Sequence, residues 1–146
     1  MMIWALGRIL LWRMALNGII SHPLLGYGPS NYFYGTYAEQ LDLVSKYYKK
    51  SDRVENKAHN EYLEIAVTMG IPALLIYLIA VFLIMKKDLS NIFKNKISFI
   101  LVLSIGAYLI QAFFSISVIH VAPIFWFILG ISNNEKFKNN ITKDFE

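Results

Sequence analysis

The segment His59-Asn60-Glu61 places an imidazole and a carboxylate directly before a long apolar run of the chain. An unperturbed imidazole titrates near pH 6.5, so it can take up or release a proton at physiological pH. Ionisable side chains at a bilayer boundary are costly and generally mark a functional site. We therefore expect chemistry at a membrane surface, centred on His59. The structural alternative is a hydrogen-bonded histidine at a helix entrance, where Glu61 and Glu64 would complement the helix dipole.

Two arginines lie in the N-terminal segment 1–20, which is rich in Leu, Ile, Met and Ala and is expected to form an interfacial or membrane helix. At 100° per residue Arg8 and Arg13 lie about 140° apart, so one helix face cannot hold both. A guanidinium group pairs with phosphate oxygens in a bidentate manner and keeps its charge. The alternative is that both arginines only anchor the helix at lipid head groups.

The composition indicates a membrane protein, because 56% of the 146 residues are hydrophobic and only 16% are charged. The formal net charge is +4, but the lysines cluster beside apolar segments. They are typical of topology signals, and no nucleic-acid partner is expected. The chain has no cysteine, which excludes disulfides and thiolate chemistry. The three histidines show no metal-ligand spacing, so neither a metal nor another cofactor is expected.

The apolar runs between residues 63 and 131 predict an all-α, polytopic integral membrane protein with about three membrane helices. The run 63–85 contains Glu64 as its single charged residue and is long enough for a span. Residues 97–131 contain no Asp, Glu, Lys or Arg. We divide this stretch into spans over 97–114 and 121–131.

Lysine placement predicts which side of the membrane each connection faces. The connection 86–96 contains four Lys and one Asp, and the positive-inside rule places it in the cytoplasm. The tail 132–146 is predicted to be cytoplasmic as well, and its Asn- and Lys-rich composition predicts disorder. His59 then faces the outside.

Residues 21–62 are expected to form the external loop that carries the motif residues. Its first part, 21–31, contains two Gly and two Pro and predicts tight turns. The aromatic stretch 32–44 predicts a short helix, whose tyrosines suit an interfacial belt or stacking on sugar rings. The charged stretch 46–57 predicts a solvated loop.

Several short motifs follow one another along the chain. They are Gly7-Arg8 with Trp12 and Ala15-Leu16, His22-Pro23-Leu24-Leu25-Gly26-Tyr27-Gly28-Pro29, His59-Asn60-Glu61-Tyr62-Leu63, Gly70-Ile71-Pro72, Gln111-Ala112-Phe113-Phe114-Ser115 and Phe125-Trp126. Their order and spacing resemble the bacterial O-antigen ligase and polymerase superfamily, over about residues 5–131. Members are polytopic membrane glycosyltransferases that move glycans from polyprenyl-diphosphate carriers. Because members are longer, the resemblance implies the C-terminal portion of a GT-C-like glycosyltransferase in the bacterial cytoplasmic membrane, partnered by N-terminal membrane helices of a longer chain.

The same resemblance implies roles for individual residues. His59 matches the histidine thought to be catalytic, and Arg8 matches the arginine ahead of the loop, whereas Arg13 is a poorer match. Asn60 and Glu61 share the histidine motif and are expected to bind substrate. The implied partners are a polyprenyl-diphosphate-linked glycan and the lipid bilayer. The competing hypothesis is a truncated, non-catalytic remnant or accessory membrane subunit that keeps the C-terminal helices.

Overall fold

The computed structural model describes residues 2–49, 55–118 and 120–144, and this part of the chain is helical and contains no β-strand. The predicted all-α class is confirmed for these residues. Part of the predicted solvated loop, residues 50–54, lies outside the described residues. The helices are α1 (Met2–Ser21), α2 (Tyr32–Glu39), α3 (Leu41–Tyr48), α4 (Glu61–Met69), α5 (Ile71–Ser90), α6 (Lys96–Phe114), α7 (Ala122–Asn133) and α8 (Glu135–Asp144).

The chain divides into an N-terminal unit, Met1–Ile76 with Ala112–Ile116, and a C-terminal unit, Tyr77–Gln111 with Ser117–Glu146. In the N-terminal unit α1 packs against α2, α3 and α4. Residues three and four apart share a helix face, and α1 uses one such face to form the core. The buried members of this core are Leu11, Met14, Ala15, Tyr32, Tyr37, Ala58 and Val67.

The prediction of one membrane helix over 63–85 is wrong, because the chain breaks at Gly70 between α4 and α5. Gly70 has a φ of 89°, a left-handed backbone conformation that ends α4. The next N–H, that of Ile71, donates to the carbonyl oxygen of Pro23 at 2.8 Å. The nine-residue α4 is also too short to cross a hydrocarbon core.

The predicted helix over 32–44 is divided at Gln40 into α2 and α3. The Gln40 amide nitrogen donates to the backbone carbonyl of Met14 at 2.9 Å, and its amide oxygen accepts from Asn17 at 3.1 Å. These two contacts fix the break against α1.

The C-terminal unit contains most of α5 and α6 together with α7 and α8. Its apolar core is formed by Val81, Met85, Ile105, Phe125 and Leu129. The prediction that the tail is disordered is wrong over Glu135–Asp144, where the chain forms α8. The cause is tertiary, because α8 is held by a buried ion pair with α5 that is described below.

One helix of the described residues is long and apolar enough to cross a membrane, namely α6, with a mean hydropathy of 2.2. Its bounds agree with the predicted span 97–114. The apolar helix α7 is shorter than a span, and α5 carries Lys86, Lys87 and Asp88 in its last turns. The number of spans therefore stays a prediction.

Candidate active site at the start of the fourth helix

His59 lies in the turn before α4, and its imidazole is oriented by a carboxylate. Its φ is 53°, a left-handed conformation that typically costs a non-glycine residue about 1–3 kcal/mol. The ring Nε2 lies 3.1 Å from Oε2 of Glu55, and the two side chains are 31% and 28% exposed. A carboxylate accepts hydrogen bonds, so this contact suits the tautomer that has the proton on Nε2. In that tautomer Nδ1 is the acceptor.

The turn that carries His59 is fixed on both sides. Ala58 is fully buried in the core of the N-terminal unit, and its N–H donates to the carboxylate of Glu64 at 2.7 Å. Asn60 is 2% exposed, and its side-chain oxygen accepts from the N–H of Leu63 at 3.1 Å. This contact is the N-cap of α4. Asn60, which was predicted to bind substrate, therefore holds the turn in place through this N-cap.

Two carboxylates lie in the first turn of α4 and differ in environment. Burial raises the pKa of Glu64 above its usual range, against the opposing effect of the hydrogen bond from Ala58 and of nearby cationic groups. Glu61 is half-buried. Burial, together with the charge of Glu61, raises the pKa of Tyr62. Titratable groups whose environments shift their pKa values are common in sites that transfer protons.

The helices α1 and α4 pack against each other. In the C-terminal part of α1, a Cβ atom on Gly18 would lie 3.0 Å from the side chain of Val67 of α4. Just after the two helices, the N–H of Ile71 donates to the carbonyl oxygen of Pro23. The turn before α4 meets α1 as well, because Ala58 and Leu11 belong to the same core.

Arg8 and Arg13 are both exposed on α1, and neither forms an ion pair within the described part of the chain. The described part of the structure gives neither arginine a hydrogen bond or ion pair to the His59 turn. One turn after Arg8, the indole N–H of Trp12 is buried without a hydrogen-bond partner among the described residues. A buried unpaired donor costs about 1–3 kcal/mol.

A second cluster joins His22, Tyr27 and Glu39 at the surface of the N-terminal unit. The hydroxyl of Tyr27 donates to Oε2 of Glu39 at 2.5 Å, and Nε2 of His22 lies 3.3 Å from Oε1. The hydrogen bond from Tyr27 is the main cause of a lowered pKa for Glu39. Burial, followed by the hydrogen bond and charge of Glu39, raises the pKa of Tyr27 to about 12.

Replacing Tyr27 with Phe is expected to return the pKa of Glu39 toward its ordinary value. In the wild type this pairing stabilises the fold above the ordinary glutamate pKa, and the contribution is lost as pH falls through the lowered folded-state pKa. Thermal unfolding followed by circular dichroism should therefore lose stability on acidification more steeply in the wild type than in Tyr27→Phe. The matched control is Tyr34→Phe at an exposed tyrosine, which should keep the wild-type slope. Equal slopes in all three proteins would contradict the prediction.

Two side-chain contacts of the N-terminal unit were not predicted from the sequence. Glu55 was assigned to a solvated charged stretch, and its contact with His59 is made by an irregular turn before α4, where a spacing of four residues predicts no contact. The pairing of His22 with Glu39 crosses 17 residues and had no signal in the sequence. Among the described residues, no group of three or more His, Asp or Glu side chains could hold a metal ion.

Fold and site together fit a helical, membrane-associated protein in which a carboxylate orients a histidine. The profile of the O-antigen ligase family matches residues 3–78, which contain α1 to α4 and the start of α5. Because the match covers more than half of the 146 residues, the chain belongs to the O-antigen ligase family. The membership predicted from the motifs is confirmed. No curated protein and no solved structure matches the chain significantly.

Proposed function

We propose that this chain takes part in glycan transfer from a polyprenyl-diphosphate carrier, as a glycosyltransferase of the O-antigen ligase or polymerase type in cell-surface polysaccharide biosynthesis. The observation that carries the proposal is the Glu55–His59 pair, held at 3.1 Å on a strained turn within the region matched by the family. Strained backbone and an oriented, partly exposed imidazole are typical of catalytic sites.

In the proposed reaction His59 acts as the general base. Nε2 donates to Glu55, so Nδ1 accepts the proton of the acceptor hydroxyl. The hydroxyl oxygen forms a bond to the anomeric carbon, and the bond from that carbon to the carrier's phosphate oxygen breaks. The bonding electron pair leaves with the polyprenyl diphosphate. Glu55 stabilises the imidazolium that forms.

Arg8 is proposed to bind the diphosphate, whose charge increases as the glycosidic bond breaks. Arg13 lies about 140° around α1 from Arg8 and is proposed to contact a different part of the lipid-linked substrate. Their exposure and the absence of an ion pair within the described residues leave both guanidinium groups available. Asn60 is proposed to position His59, and Glu61 to contact the acceptor.

The proposed location is the bacterial cytoplasmic membrane, with several passes and with the His59 turn on the external face. The basis is the sequence, because the Lys-rich connection 86–96 favours the cytoplasm. The proposed partners besides the glycan are the lipid bilayer and further membrane helices.

The test compares His59→Asn with wild type in cells that carry the complete surface-glycan pathway. Asparagine tolerates a left-handed backbone but cannot act as a base. The substitution should therefore remove the base and leave the fold intact. Loss of a positioned general base should lower glycan transfer by roughly 10²–10⁴-fold, measured as surface glycan on gels per amount of membrane-inserted protein. His120→Asn, at an exposed histidine in a turn, is the matched control and should keep wild-type transfer.

Unchanged transfer in His59→Asn would overturn the catalytic assignment. The non-catalytic accessory subunit or remnant would then be the better description. In that case removal of the whole chain, but not of the histidine, would alter the surface glycan.

A further inference from the structure

A buried network of hydrogen bonds and ion pairs surrounds Asp88, near the end of α5, at one end of the C-terminal unit. Asp88 is 1% exposed. Its Oδ1 accepts from Ser98 of α6 and from Nζ of Lys138 of α8, both at 2.8 Å, and its Oδ2 accepts from Ser132 of α7 at 2.5 Å. Lys138 also pairs with Glu135 at 2.7 Å. The network therefore holds parts of four helices together at this end.

The network leaves this end with an excess of exposed positive charge. Its two described carboxylates are already paired, since Asp88 binds Lys138 and Glu135 binds both Lys138 and Lys87. Further lysines lie at the end of α5, in the following turn, at the start of α6 and in the first turn of α8. These exposed residues are Lys86, Lys94, Lys96 and Lys136.

An open apolar cleft lies between α7 and α8 in the same unit. Its volume is about 420 Å³, within the range of about 300–1,000 Å³ that is usual for ligand sites. At Gly130 a Cβ atom would meet no other atom within 4 Å, so the cleft is open above that residue. The lining residues are Trp126, Phe127, Gly130, Ile131, Asn134 and Phe137.

The polar rim of the cleft connects it to the charged surface. Asn134, at the junction of the two helices, caps α8 by accepting from the N–H of Phe137 at 3.1 Å. The next residue, Glu135, holds Nζ of Lys87 at 2.9 Å, and the exposed Lys136 follows. The rim residue Asn134 is thus followed in the chain by one residue that holds an ammonium group and by a second, exposed lysine.

We propose that this cleft binds an anionic phospholipid, with one acyl chain between α7 and α8 and the phosphate of its head group on Lys136 and Lys87. Charge complementarity selects this occupant, because an acyl chain matches the apolar lining and an anionic head group matches the lysine rim. A free phosphate ion would gain nothing from the apolar lining. The site lies outside the proposed catalytic turn and does not depend on glycan transfer.

The first test is lipid titration of the full chain in mild detergent, followed by native mass spectrometry. Wild type should bind phosphatidylglycerol about tenfold more tightly than phosphatidylcholine. Lys136→Gln should reduce that preference about fivefold, the usual effect of one lysine near a lipid phosphate. Lys46→Gln, at an exposed lysine of α3, should leave the preference unchanged. Equal binding of both lipids by wild type would overturn the proposal.

The cleft itself is tested with Gly130→Leu, which fills it. Binding of both lipids should fall at least fivefold, whereas Gly106→Leu, at a helical glycine that also has open space around it, should bind as wild type does. Unchanged binding in Gly130→Leu would contradict an acyl-chain site. Competition by inorganic phosphate alone, at equal concentration, would instead indicate a simple anion site.

A measurement on the wild type keeps the proposal testable if Gly130→Leu does not fold. Phosphatidylglycerol with a photoreactive acyl chain should label peptides from residues 126–137 after irradiation in phosphatidylcholine vesicles. Labels confined to other helices would overturn the proposal.

Discussion

Replacing Lys138 with Met should destabilise the C-terminal unit by about 3–5 kcal/mol, the usual effect of removing one partner of a buried ion pair. Lys138 and Asp88 are 5% and 1% exposed, and their charged atoms lie 2.8 Å apart. Without Lys138, Asp88 retains two hydroxyl donors but no positive charge. Most of the lost free energy is therefore the cost of an uncompensated buried carboxylate.

Thermal or denaturant unfolding in detergent, followed by circular dichroism, measures this effect. Lys136→Met, two residues earlier and exposed, is the matched control and should change stability by no more than about 0.5 kcal/mol. Adding Asp88→Asn to Lys138→Met should restore a large part of the loss, because the amide is uncharged and can still bond with the two serines. A Lys138→Met protein as stable as the control would mean that the ion pair contributes nothing to the fold.

Replacing Gly70 with Ala should destabilise the N-terminal unit by at least about 3 kcal/mol. The left-handed φ of 89° alone costs about 1–3 kcal/mol with a side chain present. In addition, the new Cβ would lie 2.1 Å from the carbonyl oxygen of Leu24, which is backbone and cannot rotate away. The chain must therefore shift at the contact between the loop and the start of α5.

Gly106→Ala is the matched control for this backbone effect, since that helical glycine has open space around it. Alanine is a better helix former than glycine by about 1 kcal/mol, so the control should be unchanged or more stable. Opposite signs for the two substitutions in the same unfolding assay are the expected result. Equal effects would show that Gly70 is not required by the turn.

The helices α1 and α6 follow from composition and length, and both were predicted within a few residues. The break at Gly70 was not predicted, because residues 63–85 form one nearly uncharged run and hydropathy does not register a change of direction. Local signals were nevertheless present. Asn60 is a good N-cap and Gly70 a good C-cap, and Pro72 suits the first turn of a new helix.

The tail shows why composition alone was insufficient at the C-terminus. Residues 135–144 are polar and rich in Asn and Lys, a pattern that favours disorder. In the structure, Lys138 finds its partner Asp88 fifty residues earlier in the chain. Such a long-range pair cannot be predicted from one sequence, because nothing local in it identifies either partner.

At the candidate site the sequence indicated His59 and the two arginines. It did not indicate the contacts and backbone conformation that hold His59 in place. The strained φ of His59 and the capping role of Asn60 depend on the backbone conformation, which the residue types of the motif do not specify. The Glu55–His59 pair could not have been predicted from its spacing of four residues, because that spacing joins side chains on a helix and residues 55–60 form an irregular turn. The position of Arg8 and Arg13 relative to the His59 turn stays a prediction.

At His59 the left-handed backbone lowers fold stability, while the side chain is the proposed base. Stability and activity therefore favour different residues at this position. Glycine adopts that conformation without strain, so a chain with glycine there would fold at lower cost and lack the proposed base. Substitutions that raise stability are easy to obtain in most proteins and often reduce activity where strain serves the site. A directed evolution campaign that selects only for thermostability would therefore favour replacement of His59, and an activity selection must accompany it.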